Sequence, residues 1–181
     1  MKLLTKILRR PIIAAFVPTN EGQKAFEDLQ RDITNIWPQG SYLDNDVSNS
    51  TVALADTGLL GSLEPSAWYV VEADLTFQSA AVTTGIALAF DLPAGAVISG
   101  SFEHFNTATA KVGSYNIASN AFKSATTGVL VANENVPLTG RWLIKNGTTM
   151  GNANLRFASE VATSAVTLKG GLCALNFYRT L

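Results

Sequence analysis

The chain has 181 residues, of which 47% are apolar and 15% are charged, and this composition excludes disordered, collagen-like and highly charged classes of protein. Its 13 Lys and Arg are nearly balanced by 14 Asp and Glu, so no net field attracts nucleic acid, and no direct nucleic-acid partner is expected. The low charged fraction favours an oligomer, because copies hide surface that a monomer covers with charged side chains.

The first ten residues combine apolar and basic side chains at helical spacing, and Pro11 ends the pattern. An amphipathic helix this short is not stable alone, so its apolar stripe has to bind a groove on this chain, on another protein or on a membrane surface. Lys6, Arg9 and Arg10 interrupt the apolar run, which argues against a signal peptide, and no stretch reaches the roughly 18 apolar residues of a membrane span. The stripe consists of Leu3, Leu4, Ile7 and Leu8.

The segment between Pro18 and Pro38 is typical of a longer helix. Asn20 is suited to the N-cap position, and Glu21 lies near the positive end of the helix dipole. Apolar residues at spacings of three and four predict one stripe, suited to a short coiled-coil seam or to packing on a larger body. Its length of about two heptads favours packing. The stripe consists of Phe26, Leu29, Ile33 and Ile36, and with the first stripe it predicts a helical docking arm over residues 1–45.

After Gly40 the helix formers give way to small and β-branched residues, and the apolar period changes from 3.6 to two. The clearest strand is Trp68–Phe77, in which every second residue from Tyr69 onward is apolar. Asn146-Gly147 and Gly170-Gly171 predict tight turns between neighbouring strands. Further strands are predicted over residues 51–55, 86–92, 97–105, 111–118, 127–132, 140–145, 153–159, 165–169 and 172–178. The sequence therefore predicts a mainly β protein, with an antiparallel, jelly-roll-like β-sandwich over residues 46–181.

The residue types that catalysis and metal binding need are scarce. The only histidine, His104, lies on a predicted strand between phenylalanines, and no Gly-x-Ser-x-Gly motif accompanies it. One histidine and one cysteine cannot form a familiar zinc site, and the glycine motifs that bind phosphates or dinucleotides are missing. We therefore expect no enzymatic activity, no cofactor and no metal, and we expect Cys173 to be a buried, unreactive thiol.

Two acidic groups leave weaker alternatives. Residues 44–48, Asp-Asn-Asp-Val-Ser, resemble the opening of a calcium loop, but Asn49 and Ala55 stand where that loop needs Gly and Glu, so a polar linker is expected. Glu72 and Asp74 share the polar face of one strand about 7 Å apart and could form the carboxylate pair of a glycan hydrolase. The sequence shows no aromatic cleft beside them, so a solvated or interface-facing strand is the preferred interpretation.

Two stretches of the predicted sandwich resemble a pattern in virion proteins of tailed bacteriophages. The first runs from Trp68 to Gly100 and contains Ser79-Ala80-Ala81, Thr84-Gly85 and Asp91-Leu92-Pro93-Ala94-Gly95-Ala96. The second comprises Gly140-Arg141-Trp142-Leu143-Ile144-Lys145-Asn146-Gly147-Thr148 and Leu155-Arg156-Phe157-Ala158-Ser159-Glu160. The resemblance covers residues 68–178 and implies a small β-sandwich component of a phage head or tail. It includes no catalytic signature, so no functional residue is carried over.

The resemblance implies two functions, which differ in what the arm holds. In the first, the chain is a capsid cement or decoration protein on the capsid surface, which docks on the major capsid protein and stabilises the head by many repeated contacts. In the second, it is a head or tail fibre whose sandwich loops bind a host surface glycan or protein. The short chain and its amphipathic arm favour cement. A homotrimer is expected, with the major capsid protein or another virion protein as partner.

Overall fold

The computed structural model describes Lys24 and residues 38–107, 110–116 and 124–180. From Pro38 onward the described residues form twelve strands and no helix. The compact unit that contains these strands spans Pro38–Leu181, so it begins before the predicted domain boundary at residue 45. The predicted docking stripes of the arm lie outside the described residues; they are Leu3, Leu4, Ile7, Leu8, Phe26, Leu29, Ile33 and Ile36.

Eight strands form a first sheet, here named sheet A. They are β1 (Gln39–Tyr42), β2 (Val47–Asn49), β4 (Trp68–Ser79), β6 (Val97–Phe105), β7 (Lys111–Asn116), β9 (Val136–Lys145), β11 (Val166–Leu168) and β12 (Ala174–Thr180). Their order is β1-β12-β4-β9-β6-β7, and β11 pairs with β4 and β2. All of these pairs are antiparallel.

Four strands form a second sheet, sheet B, and it shares one apolar core with sheet A. They are β3 (Ala55–Leu63), β5 (Ile86–Asp91), β8 (Ser124–Ala125) and β10 (Gly151–Ser159), in the antiparallel order β3-β10-β5-β8. Phe90 of sheet B meets Trp142 of sheet A edge-on, with ring centroids 5.1 Å apart. Buried residues of both sheets belong to the same cluster. The prediction of a mainly β protein built from antiparallel sheets is confirmed.

The inner faces of the two sheets pack closely where a glycine of sheet B lies against an aromatic ring of sheet A. Gly61 of β3 faces the ring of Phe177 on β12, and a Cβ atom placed on Gly61 would lie 2.3 Å from that ring. Close packing of this kind leaves no room for even one methyl group. At the same edge, the Leu60 amide donates to Ser41 Oγ (3.2 Å) and the Ser62 amide donates to Gln39 Oε1 (3.0 Å). These bonds satisfy donors that edge strand β3 would otherwise expose.

Two predicted strands are wrong, and local side-chain bonding explains the first. Residues 51–53 form a bend, because Asn49 accepts the Thr51 amide at its Oδ1 (2.9 Å) and donates to the Ala53 carbonyl (2.9 Å). The strand of this region is β3, which starts at Ala55. Residues 127–132 also form no strand. Gly128 takes a positive φ of 63° there, and the Val129 amide donates to the Val82 carbonyl.

Of the two predicted tight turns, Gly170-Gly171 forms a turn, whereas Asn146-Gly147 does not close a hairpin. Asn146-Gly147 does not close a hairpin, because β9 belongs to sheet A and β10 to sheet B. Gly170-Gly171 does form a turn, in which Gly171 has a φ of 73° and the Leu172 amide donates to the Lys169 carbonyl (3.2 Å). The strands on either side of that turn do not pair with each other; both pair with β4.

Candidate interaction surface

The outer face of sheet A carries a group of exposed apolar side chains at one end of its central strands. Val70 of β4 lies between Leu143 of β9 and Tyr178 of β12 in register. In the neighbouring row, Trp68 pairs with Lys145, which in turn pairs with Val97 of β6. Trp68, Val97, Leu143 and Tyr178 keep 43%, 56%, 42% and 37% of their surface exposed. We name this surface the apolar patch; its members are Trp68, Val70, Val97, Leu143 and Tyr178.

Alternation along the strands produces the patch. In β4 the residues Tyr69 and Val71 are buried in the core, so Trp68 and Val70 point outward. Lys145 lies between Trp68 and Val97 at the rim of the patch, with its Nζ 5.3 Å from the centre of the Trp68 ring. A cation at this distance from an indole is stabilised by the ring's electron density. The patch is thus apolar with one positive charge near its rim.

A polar band borders the patch farther along the same strands. Glu72 pairs with Arg141 across β4 and β9, and the Glu72 Oε1 lies 3.6 Å from the Arg141 Nε. Glu103 of β6 forms an ion pair with Lys111 of β7. Short side chains between these groups leave an open depression of about 310 Å³ on the outer face. The outward side chains around it are Glu72, Asp74, Ser101, Glu103, Thr139 and Arg141.

Glu72 and Asp74 lie together in this depression, as their spacing on one strand predicts. The depression opens on a sheet face, and Glu72 is bound to a neighbouring guanidinium rather than to a second carboxylate. The described residues include no group of three or more His, Cys, Asp or Glu side chains that could hold a metal ion. The expectation that the chain is not an enzyme stays a prediction.

His104 points inward from β6 and connects the two sheets. Its Nδ1 lies 3.1 Å from the Phe105 carbonyl and its Nε2 lies 2.7 Å from Thr126 Oγ1. The Phe105 carbonyl can only accept, and the Thr126 hydroxyl that contacts Nε2 also donates to the Ile86 carbonyl of sheet B (3.1 Å). The Phe77 ring packs edge-on against the imidazole at 5.1 Å. Burial lowers the pKa of His104, which is a structural residue of the core.

Asp46, from the segment that resembles a calcium loop, holds a turn. Its carboxylate forms an ion pair with Lys169 and accepts the Gly170 amide (2.8 Å). The hydrogen bond from Lys169, followed by that from Gly170, lowers the pKa of Asp46. Cys173 is buried as predicted and donates to the Thr76 carbonyl (3.3 Å), and burial raises the pKa of its thiol. A protonated, buried thiol is a poor nucleophile.

The sequence pattern did not identify the apolar patch. The predicted docking residues all belong to the arm, and the outer face of β4 was interpreted as a polar face around Glu72 and Asp74. One signal was present in the sequence. The run Trp68-Tyr69-Val70-Val71 is apolar on both faces of the strand, which is typical of a strand that is covered on both faces. Leu143 and Tyr178 join it only through strand pairing.

No protein-family model matches the chain, and no curated protein matches it. Among solved structures, it is similar to that of infectious bursal disease virus Gx strain, with 12% identity over 80% of this chain and 37% of that chain and a TM-score of 0.19. For the Gt strain of the same virus the identity is 9%, the coverages are 80% and 38%, and the TM-score is 0.18. The chain therefore spans little more than a third of the length of these viral chains. Within the described residues, no helix is both long and apolar enough to cross a membrane.

Proposed function

We propose that the chain is a virion structural protein, a capsid cement or decoration protein that docks on the major capsid protein at the capsid surface. The observation that carries this proposal is the strand order. Eight of the twelve strands form two four-stranded sets, β1-β12-β4-β9 within sheet A and β3-β10-β5-β8, which is sheet B. Taken along the chain, these eight strands cross from one set to the other at every step except β5 to β8.

This alternation with one exception is the connectivity of a jelly roll, in which two Greek keys wrap around one core. The hairpin of β6 and β7 is an insertion between β5 and β8, and it widens sheet A beyond β9. The jelly roll is an architecture that viral capsid domains and lectins use. Because a fold alone does not specify a function, the proposal also rests on the resemblance of residues 68–178 to phage virion proteins.

The exposed apolar patch supports a role in an assembly, since a contiguous apolar patch on a soluble chain often marks a contact with another protein. We assign attachment to the amphipathic arm, whose stripes suit grooves on the capsid lattice. Weak contacts that repeat over many copies add through avidity, so each arm needs only a small interface. A homotrimer remains the predicted state of the free protein.

Quantitative mass spectrometry of separated heads and tails tests the location. Many copies in the head fraction, in a fixed ratio to the major capsid protein, are expected of a cement protein. A few copies confined to the tail fraction would contradict the proposal and support the fibre alternative.

Variants of the arm test the mode of attachment. Leu4→Asp and Ile7→Asp, each alone, should abolish incorporation into particles, because a charge on the apolar stripe cannot be buried in a groove. Thr5→Asp is the matched control, since it introduces the same charge beside the stripe and should incorporate normally. Thermal unfolding of each variant should remain that of the parent chain. Normal incorporation of Ile7→Asp would exclude the arm from attachment.

A further inference from the structure

We propose that the outer face of sheet A binds a neutral glycan at Tyr42, beside the polar depression. Tyr42 of β1 pairs in register with Ala174 of β12, and Ala174 pairs with Asp74 of β4, so the three side chains lie on the same face. The row continues through Thr139 of β9 to Glu103 of β6, and both of these residues border the depression. The proposal adds a binding site to the chain, and it does not rest on the proposed virion role.

Tyr42 supplies an aromatic surface that lies along the sheet. A Cβ atom placed on Gly40 would lie 2.9 Å from Tyr42 Oη and 3.0 Å from Tyr42 Cε2, so the ring extends back along β1 over the glycine. Even in this position, 65% of the surface of Tyr42 is exposed. The face of an aromatic ring carries negative charge density, and it therefore attracts the partly positive C–H groups on one face of a sugar ring. Tyr42 is thus a platform on which a sugar can stack.

Hydrogen-bonding groups lie beside this platform. Asn176 of β12 is the neighbour of Gly40 in register, and its Oδ1 lies 3.2 Å from the same Cβ position. Asp74 lies two strands from Tyr42, about 10 Å away at the usual strand spacing, and the small alanine between them leaves room for a sugar ring. In the part of the chain that the structure describes, the side chains of Asn176 and Asp74 form no hydrogen bond or ion pair, so both are available to sugar hydroxyls. A stacking surface with a few polar groups beside it is typical of small-ligand sites.

The charges around the site favour a neutral sugar over an acidic one. Glu72 and Glu103 each lie beside a positive side chain, Arg141 and Lys111 respectively. Asp74 has no such counter-charge among the described residues, so the depression has an excess of negative charge. A carboxylate or phosphate on the ligand would meet like charge there. The hydroxyl groups of a neutral sugar donate to the carboxylates instead, and hydrogen bonds with a charged partner are stronger than those between neutral groups.

Isothermal titration calorimetry of the full chain tests the proposal. The probes are three neutral trisaccharides, cellotriose, maltotriose and tri-N-acetylchitotriose, with trigalacturonic acid as the acidic comparison. We expect at least one neutral probe to bind with a Kd of about 1 mM or tighter, and the acidic probe to bind at least about tenfold more weakly. A chain that binds no neutral probe at about 10 mM, or that binds only the acidic one, overturns the proposal.

Variants of Tyr42 test the platform with the neutral probe that binds best. Tyr42→Ala should weaken binding at least about tenfold, whereas Tyr42→Phe keeps the ring and should stay within about threefold of the parent chain. Trp68→Ala is the matched control, since Trp68 is an exposed aromatic residue of the same face, six residues from Asp74 along β4 and about 20 Å away. The thermal transition of each variant shows that it folds. Equal weakening by Tyr42→Ala and Tyr42→Phe, or by Tyr42→Ala and Trp68→Ala, would exclude stacking on Tyr42.

A carboxylate variant tests the polar side of the site. Asp74→Ala should weaken binding of the same probe about tenfold, because it removes a charged acceptor of sugar hydroxyls. Asp91→Ala is its control, since Asp91 is an exposed carboxylate of β5 in sheet B and should leave binding unchanged. Binding by Asp74→Ala that is as tight as binding by Asp91→Ala would overturn the placement of the sugar between Tyr42 and Asp74.

Discussion

The amide of Asn146 is expected to be one of the main polar supports of the fold. Asn146 is buried in the connection that leads from sheet A to sheet B. Its Nδ2 lies 3.1 Å from the Leu63 carbonyl, 2.9 Å from the Glu64 carbonyl and 2.9 Å from the Thr149 carbonyl, and its Oδ1 accepts the Gly147 amide (2.9 Å). One side chain therefore joins the end of β9 to the turn between β3 and β4.

Asn146→Ala removes these bonds, including the buried one to the Leu63 carbonyl, while the Glu64 carbonyl keeps the Ala67 amide as a donor (3.4 Å). A buried group left unsatisfied costs about 1–3 kcal/mol, so the free energy of unfolding should fall by about 2 kcal/mol. For a domain of this size, that loss lowers Tm by about 4–8 °C. Asn146→Asp should destabilise the fold more than Asn146→Ala, because it replaces the donor by a negative acceptor that faces three carbonyl oxygens.

Urea unfolding at neutral pH measures these differences. Asn152→Ala is the matched control, because the exposed Asn152 makes a single side-chain bond, in which Ser62 Oγ donates to its Oδ1 (3.2 Å). We expect this control to lie within about 0.5 kcal/mol of the parent chain. The reasoning is refuted if Asn146→Ala is no less stable than Asn152→Ala, or if Asn146→Asp is more stable than Asn146→Ala.

Two further predictions concern the core. Gly61→Ala should lower the free energy of unfolding by about 1–3 kcal/mol, because its methyl group collides with the Phe177 ring. Combined with Phe177→Leu, it should cost less than the sum of the single changes, and additive losses in a double-mutant cycle would contradict the contact. Because burial lowers the pKa of His104, the unfolded state binds its proton first, and stability should fall as pH drops below 6.5 towards the folded pKa, with no further loss below it. The non-titrating His104→Gln should lack this part of the pH dependence in urea unfolding between about pH 8 and pH 5, and an unchanged profile would exclude His104 as its source.

Strand β4 was predictable because every second residue from Tyr69 to Phe77 is apolar and the run is rich in β formers. The burial of these residues in the structure follows the same alternation. Strand β3 was not predictable, and Gly61 shows why. Its inward positions include Thr57 and Gly61, which give no apolar signal, yet Thr57 donates to the Leu155 carbonyl (2.7 Å) and Gly61 admits the Phe177 ring. An inward position that accommodates a ring from another strand is recognisable only when that strand is in place.

The same limit explains why the apolar patch was missed. Trp68 and Val70 are outward residues of a strand that could be identified, but the patch also needs their neighbours across the sheet. Leu143 and Tyr178 lie far from β4 in sequence, and only the register of β9 and β12 brings them beside Val70. A side-chain period of two reveals which residues share a face of one strand, whereas pairing decides which strands share a face of a sheet.

The strand order therefore determines which residues form the candidate surface. At Asn146 the local sequence predicts a hairpin, whereas the chain crosses from sheet A to sheet B. Asn-Gly is the strongest local signal for a hairpin, and a hairpin here would place β10 beside β9 in one sheet. The outward residues of β10, such as Asn152 and Asn154, would then lie next to β9, and the face around Leu143 would be polar. Instead the Asn146 amide binds the carbonyls of Leu63 and Glu64, β10 joins β3 in sheet B, and the positions beside β9 are occupied by β4 and β6. The exposed apolar rows of sheet A exist because this connection crosses between the sheets.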